Sequence, residues 1–147
     1  MPTPLLIDAC RDYLIAQGIV RDPRVAGAAP PCWRSPRNGV PAPGDGTGTE
    51  IGATVVVGLF PSTGIAREPY DASVLRTDGL DVRIRATTAP AAIALDDSIR
   101  AALMDKRGWT MGGLQVVESR LERPLQLIVS DNQGYDFIAG YLIERHA

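Results

Sequence analysis

The sequence predicts an α+β domain whose mixed, largely antiparallel β-sheet carries two helices packed on one face and a long Gly/Pro-rich loop. Three observations predict this: a strand–turn–helix unit at residues 80–107, an apolar run at 53–60, and alternating segments in the C-terminal third. The chain has 147 residues and is 45% hydrophobic. It is long enough to bury a core, and we predict one domain over residues 1–147.

A first helix is predicted near the N-terminus. Thr3 suits the N-cap and Pro4 the first turn. Leu6 and Leu14 recur on one apolar face, and Gly18 suits the position just after the helix.

The next segment, residues 26–52, is rich in Gly and Pro and is predicted to be a long loop inserted within the domain. Trp33 anchors a predicted short strand around residues 32–34. The GDGTGTE stretch lacks the Lys-Ser/Thr of a phosphate-binding loop and the ligand spacing of an EF-hand. Long loops of this kind are either functional or disordered, and the sequence leaves both open.

Residues 53–60, ATVVVGLF, are β-branched and nearly all apolar, and predict a central strand buried on both faces. Pro61 is expected to end this strand. Residues 72–75 are expected to form a short strand or a turn.

The unit at residues 80–107 begins with a half-buried strand, in which Val82 and Ile84 alternate with charged residues. Thr88 is the predicted N-cap of a second helix and Pro90 lies in its first turn. The helix has an apolar face of Ala92, Leu95, Ile99, Ala102 and Leu103. The opposite side is predicted to carry Asp96, Asp97 and Arg100.

The C-terminal third is predicted to form three strands. They span residues 114–121, 125–129 and 135–145, with turns at Arg123-Pro124 and at residues 131–134. Glycines at positions 108, 112 and 113 predict a loop around Trp109.

Composition argues against several kinds of partner. A net charge of −2 disfavours a general binder of nucleic acid or of anionic membranes, which needs a cationic face. No apolar run approaches the roughly 20 residues that span a bilayer. The N-terminus lacks a basic segment, so no signal peptide is expected.

Catalytic motifs are not found. The single histidine is His146, and the sequence contains no G-x-S-x-G, G-x-G-x-x-G or C-x-x-C. Cys10 and Cys32 match no metal or redox spacing and are expected to be reduced and buried. We therefore predict no catalytic, cofactor or metal site. A small enzyme that uses Asp or Glu is an alternative, which carboxylates with shifted pKa values converging in a cleft would favour.

A set of charged strand residues forms a candidate subunit interface. Arg83 and Arg85 project from one face of their strand, and Arg120 and Arg145 are placed on neighbouring strands with Glu118 and Glu144 nearby. We predict the interface residues to be Arg83, Arg85, Glu118, Arg120 and Arg145. An antiparallel sheet commonly leaves one face in water, so a solvated face is the competing interpretation. Arginine is enriched at interfaces, which favours a subunit contact.

Four segments together resemble the tail terminator family of long-tailed bacteriophages, whose members are also called tail-completion, head–tail joining or minor tail proteins. The segments are LIDACRDYLIAQGIV, VVVGLFPSTG, LDVRIRATTAPAAIALDDSIRAALM and VVESRLERPLQLIVSDNQGYDFIAGYLIER. The resemblance covers nearly the whole chain except residues 26–52.

This resemblance implies a virion structural protein that forms a homo-hexameric ring. Such a ring caps the tail tube, ends tube polymerisation and provides the surface for head–tail joining. The implied partners are other copies of the chain, the tail tube protein and a connector or stopper protein. Phage DNA would pass through the lumen without specific binding, and no membrane is involved. The implied location is the virion tail or neck, after synthesis in the host bacterial cytoplasm.

Two alternatives lie close to this interpretation. One is a head-completion stopper or another neck protein of the head–tail connector. The other is a bacterial or prophage-derived interaction module that works without a tail.

Overall fold

The computed structural model describes residues 6–25, 27–34, 55–61, 75–104, 106–131 and 134–146. These ranges contain two helices and six strands, so the predicted α+β class is confirmed. In chain order they are α1 (Leu6–Ala16), β1 (Cys32–Arg34), β2 (Val55–Pro61), β3 (Leu75–Ala86), α2 (Ala89–Leu103), β4 (Lys106–Met111), β5 (Leu114–Asp131) and β6 (Gly134–His146).

All six strands belong to one sheet with the spatial order β1-β2-β3-β6-β5-β4. β1 pairs with β2 in parallel, and every other neighbouring pair is antiparallel. The mixed, largely antiparallel sheet is therefore confirmed. β6 lies between β3 and β5, so the two strands at the centre, β3 and β6, come from distant parts of the chain.

Both helices cover the same face of this sheet. Alternate residues of the central strand β3, namely Leu80, Val82 and Ile84, are at most 1% exposed and belong to one apolar cluster with both helices. From α1 the cluster takes Leu6, Ala9, Cys10 and Leu14, and from α2 it takes Ala92, Leu95, Ile99, Ala102 and Leu103. The predicted apolar faces of the helices are the faces that pack on the sheet.

One row of residues on this covered face crosses five strands. The pairing registers link Cys32 to Val57, Val57 to Ile84, Ile84 to Phe137, and Phe137 to Leu127. The first four are at most 8% exposed, whereas Leu127 is 50% exposed. The apolar core therefore continues outward to the β5 side of the sheet, where its last member meets solvent.

The β4 end of the sheet packs against α1. The rings of Tyr13 and Trp109 meet edge to face with centroids 4.8 Å apart. Lys106, the only lysine, donates a hydrogen bond to the Tyr13 hydroxyl (3.0 Å) and lies 5.1 Å from the Trp109 ring centroid. The β4–β5 turn also touches α1, because a β-carbon at Gly112 (φ 52°) would collide with the Ala9 backbone.

The second helix begins where the sequence predicts it to begin. Thr88 is its N-cap and accepts a hydrogen bond from the Ala91 N–H (3.4 Å), while Pro90 lies in the first turn. The predicted exposure of Asp96 is wrong: it is 3% exposed. Its neighbour Leu95 points into the core, and the buried face of α2 is wide enough to include position 96. The buried Asp96 carboxylate forms an ion pair with Arg100 (3.1 Å).

Two predicted strands differ from the structure, one in its position and one in its start. β2 is second from one edge of the sheet rather than central, although Val56 and Val57, which point to its two faces, are both fully buried. β3 begins at Leu75, not near Leu80, and runs through Gly79 because β6 pairs with it over its whole length.

The C-terminal third differs most from its prediction. The region around Trp109 is strand β4 rather than a loop, and the turn is at Gly112 and Gly113, which both have positive φ. The expected turn at Arg123-Pro124 lies inside one eighteen-residue strand, β5. The pairing of β5 with β6 shifts register at four places. Such shifts are typical of β-bulges, which let a strand continue through an irregular stretch of backbone.

Other predictions are confirmed within the described residues. β1 matches the strand expected around Trp33, Gly18 has a φ of 73° after α1, and Pro61 is the last residue of β2. The predicted cap at Thr3 and Pro4, most of the loop at 26–52, and residues 53, 54 and 72–74 lie outside the described ranges.

Candidate interaction surface

The sheet face that points away from the helices, here called the open face, carries most of the charged candidates. Opposite residues of an antiparallel pair point to the same side, so the register assigns its members. They are Asp81, Arg83 and Arg85 of β3, Asp136, Ile138, Gly140, Leu142 and Glu144 of β6, and Glu118, Arg120 and Arg123 of β5. Phe60 of β2, opposite Asp81, lies on the same face.

An ion pair joins the two central strands on the open face. Arg83 Nη2 on β3 lies 2.6 Å from Asp136 Oδ2 on β6, and the two side chains are 31% and 14% exposed. The Arg83 guanidinium also lies 6.0 Å from the centroid of the Phe60 ring on β2. Arg83 therefore links three neighbouring strands and has little freedom to contact a partner.

A second ion pair spans three strands. Arg123 on β5 reaches over β6 to donate a hydrogen bond to Asp81 on β3, with 2.5 Å between Nη2 and Oδ1. Gly140 lies between the two residues, opposite both of them in the register. The absent side chain at Gly140 leaves the space in which the arginine lies.

The third feature is a shallow depression near one end of the open face. It is lined by Glu118, Glu144, Arg120, Thr77 and Leu142. Glu118 and Glu144 are directly opposite each other on β5 and β6. Two like charges in this arrangement repel each other and lower the stability of the folded chain on its own. Arg107 is 3.9 Å from Glu118, while neither Glu144 nor Arg120 has an ion-pair partner in the described part of the chain.

Four of the five predicted interface residues share the open face: Arg83, Arg85, Glu118 and Arg120. The fifth, Arg145, does not. It is opposite Val116, a core residue, and therefore lies on the helix side of the sheet. There its Nε is 2.8 Å from Asp78 Oδ2 and its side chain is 10% exposed. The grouping is wrong because Glu144 and Arg145 are consecutive and must point to opposite faces.

The sequence prediction missed the two carboxylates that pair with arginines, Asp136 and Asp81. It also missed Arg123, which pairs with Asp81, and Gly140, which leaves space for Arg123. Asp81 could have been found, since it precedes Arg83 by two and shares its face. Asp136 and Arg123 depend on the register of β6 with both neighbours, which the pattern of one strand does not contain.

Burial shifts the pKa of titratable groups beneath the helices. Burial raises the pKa of the Asp96 carboxyl, and the guanidinium of Arg100 opposes this shift. Burial likewise raises the pKa of the Tyr141 hydroxyl and of the Cys10 thiol, and raises that of Cys32 to about 12. Both cysteines are free and buried, as predicted, and such thiols are unreactive.

The described ranges contain no group of three His, Cys, Asp or Glu side chains arranged to hold a metal ion. Nor does either helix there combine the length and apolarity needed to cross a membrane.

Comparison with known proteins finds no family model that matches the chain and no curated protein that matches it significantly.

Proposed function

We propose that this protein is a tail terminator of a long-tailed bacteriophage. Its copies form a homo-hexameric ring that caps the tail tube, ends tube polymerisation and provides the surface for head–tail joining. The observation that carries the proposal is the resemblance of four segments to that family, taken together with the places of these segments in the fold.

The segments that carry the resemblance are the main parts of one structural unit. They contain α1, β2, the β3–α2 unit and the β5–β6 pair. β3 and β6 are hydrogen-bonded neighbours at the centre of the sheet, and α1 and α2 share one core beneath it. Because the four segments pack together in one domain, we interpret the resemblance as one of the whole domain. Chance matches of unrelated stretches are the alternative.

The open face has properties that suit an assembled particle. The pairs Arg83–Asp136 and Arg123–Asp81 hold β3, β6 and β5 together across their strands. The opposed carboxylates of Glu118 and Glu144, beside Arg120, are a charge arrangement that a partner can relieve. We assign the subunit-contact role to the part of the open face formed by β5.

The proposed partners follow from this role. They are further copies of the chain, the tail tube protein and a connector or stopper protein of the head. Phage DNA passes through the lumen without specific binding, and neither a membrane nor a cofactor takes part. The role is structural rather than enzymatic, and the proposed location is the virion tail or neck after synthesis in the bacterial cytoplasm.

The first test measures the mass of the purified protein by light scattering over a range of concentrations, with electron micrographs of the same samples. We expect a closed ring of six copies, formed alone or on added tail tubes. The protein should bind tube ends and stop their elongation. A protein that stays monomeric and leaves tube growth unchanged would contradict the proposal.

The same samples distinguish the stopper alternative. A head-completion stopper should bind the connector of DNA-filled heads and should not bind isolated tubes. Binding to heads without binding to tubes would therefore replace the terminator proposal with the stopper. Phage tails assembled without the protein provide the matching control, because a missing terminator gives tails of uncontrolled length.

A further inference from the structure

We draw no further inference here: the strongest candidate, the exposed apolar patch of Leu127 and Ile128 at the outer edge of β5, carries none, because nothing in the structure shows what covers it.

Discussion

Arg123 occupies the space that a side chain at Gly140 would fill. A β-carbon at Gly140 would lie 2.8 Å from Nε of Arg123 and 3.1 Å from its Nη2. The guanidinium therefore lies against the backbone of β6, and from there it reaches Asp81 on the far strand. A glycine in the middle of a strand, which ordinarily weakens the strand, is what permits this pair.

Gly140→Ala should displace Arg123 from Asp81. Because Arg123 is flexible and half exposed, we expect a loss of only about 0.5 kcal/mol in the free energy of unfolding. In an Arg123→Gln background the same Gly140→Ala change should be neutral or stabilising, since alanine restricts the unfolded chain. Urea denaturation of the four proteins measures the coupling, and equal effects of Gly140→Ala in both backgrounds would contradict this account.

Asp96 should make the stability of the fold depend on pH. Burial raises its pKa in the folded state above the usual value of an aspartate, so the folded protein binds this proton more tightly than the unfolded chain does. The resulting stabilisation is fully present below the unfolded pKa and is lost as the pH rises through the folded pKa.

Asp96→Asn should remove this part of the pH dependence. We expect the difference in unfolding free energy between the variant and the parent to shift in favour of the variant as the pH rises from the usual pKa of an aspartate through the raised pKa of Asp96 in the folded protein. Asp97→Asn, at an exposed neighbour whose charge adds to the raised pKa of Asp96, should weaken this pH dependence without removing it. A variant that loses stability relative to the parent as the pH rises would show that the Arg100 pair outweighs burial.

Ser119→Ala should destabilise the end of α2. The Ser119 hydroxyl is fully buried and donates a hydrogen bond to the Leu103 carbonyl oxygen (2.5 Å) at the last residue of the helix. Its removal leaves a buried carbonyl unpaired, which costs about 1–3 kcal/mol. Thermal unfolding measures the loss. Ser98→Ala removes an exposed hydroxyl that bonds within α2 and should change stability little.

Arg120→Gln should separate assembly from folding. Arg120 has no ion-pair partner in the described part of the chain, so the free energy of unfolding should change by less than about 0.5 kcal/mol. If the β5 part of the open face contacts another subunit, the concentration needed for ring formation should rise severalfold. Arg24→Gln, remote from β5, should leave assembly unchanged, and equal assembly of both variants would remove Arg120 from the interface.

Local patterns predicted the helices well. Thr88, Pro90 and the apolar spacing of α2 are properties of neighbouring residues, and the structure confirms all of them. Asp96 was misplaced because helical periodicity does not specify how wide a stripe the sheet will cover. Pro124 was interpreted as a turn, although a proline at an edge can remain within a bulged strand.

The charged surface depended on information that single strands do not contain. Alternation along β3 placed Arg83 and Arg85 on one face correctly, because a strand alternates every two residues. Their relation to Asp136, Arg123 and Gly140 required the order β3-β6-β5 and its register. Arg145 was assigned to the wrong side of the sheet. Whether its side chain shares a face with Arg83 is determined only by the register between β6 and β3.

The position of β6 has a consequence for biosynthesis. Of the six strands it is the last to be synthesised, yet it must enter between β3 and β5 at the centre of the sheet. Until it does so, the nascent chain presents the twelve-residue β3 with one side unpaired, and such edges attract other chains. Translation that stops before residue 134 would thus release an incomplete sheet with an unpaired, aggregation-prone edge. The need for chaperones is greatest before β6 is inserted.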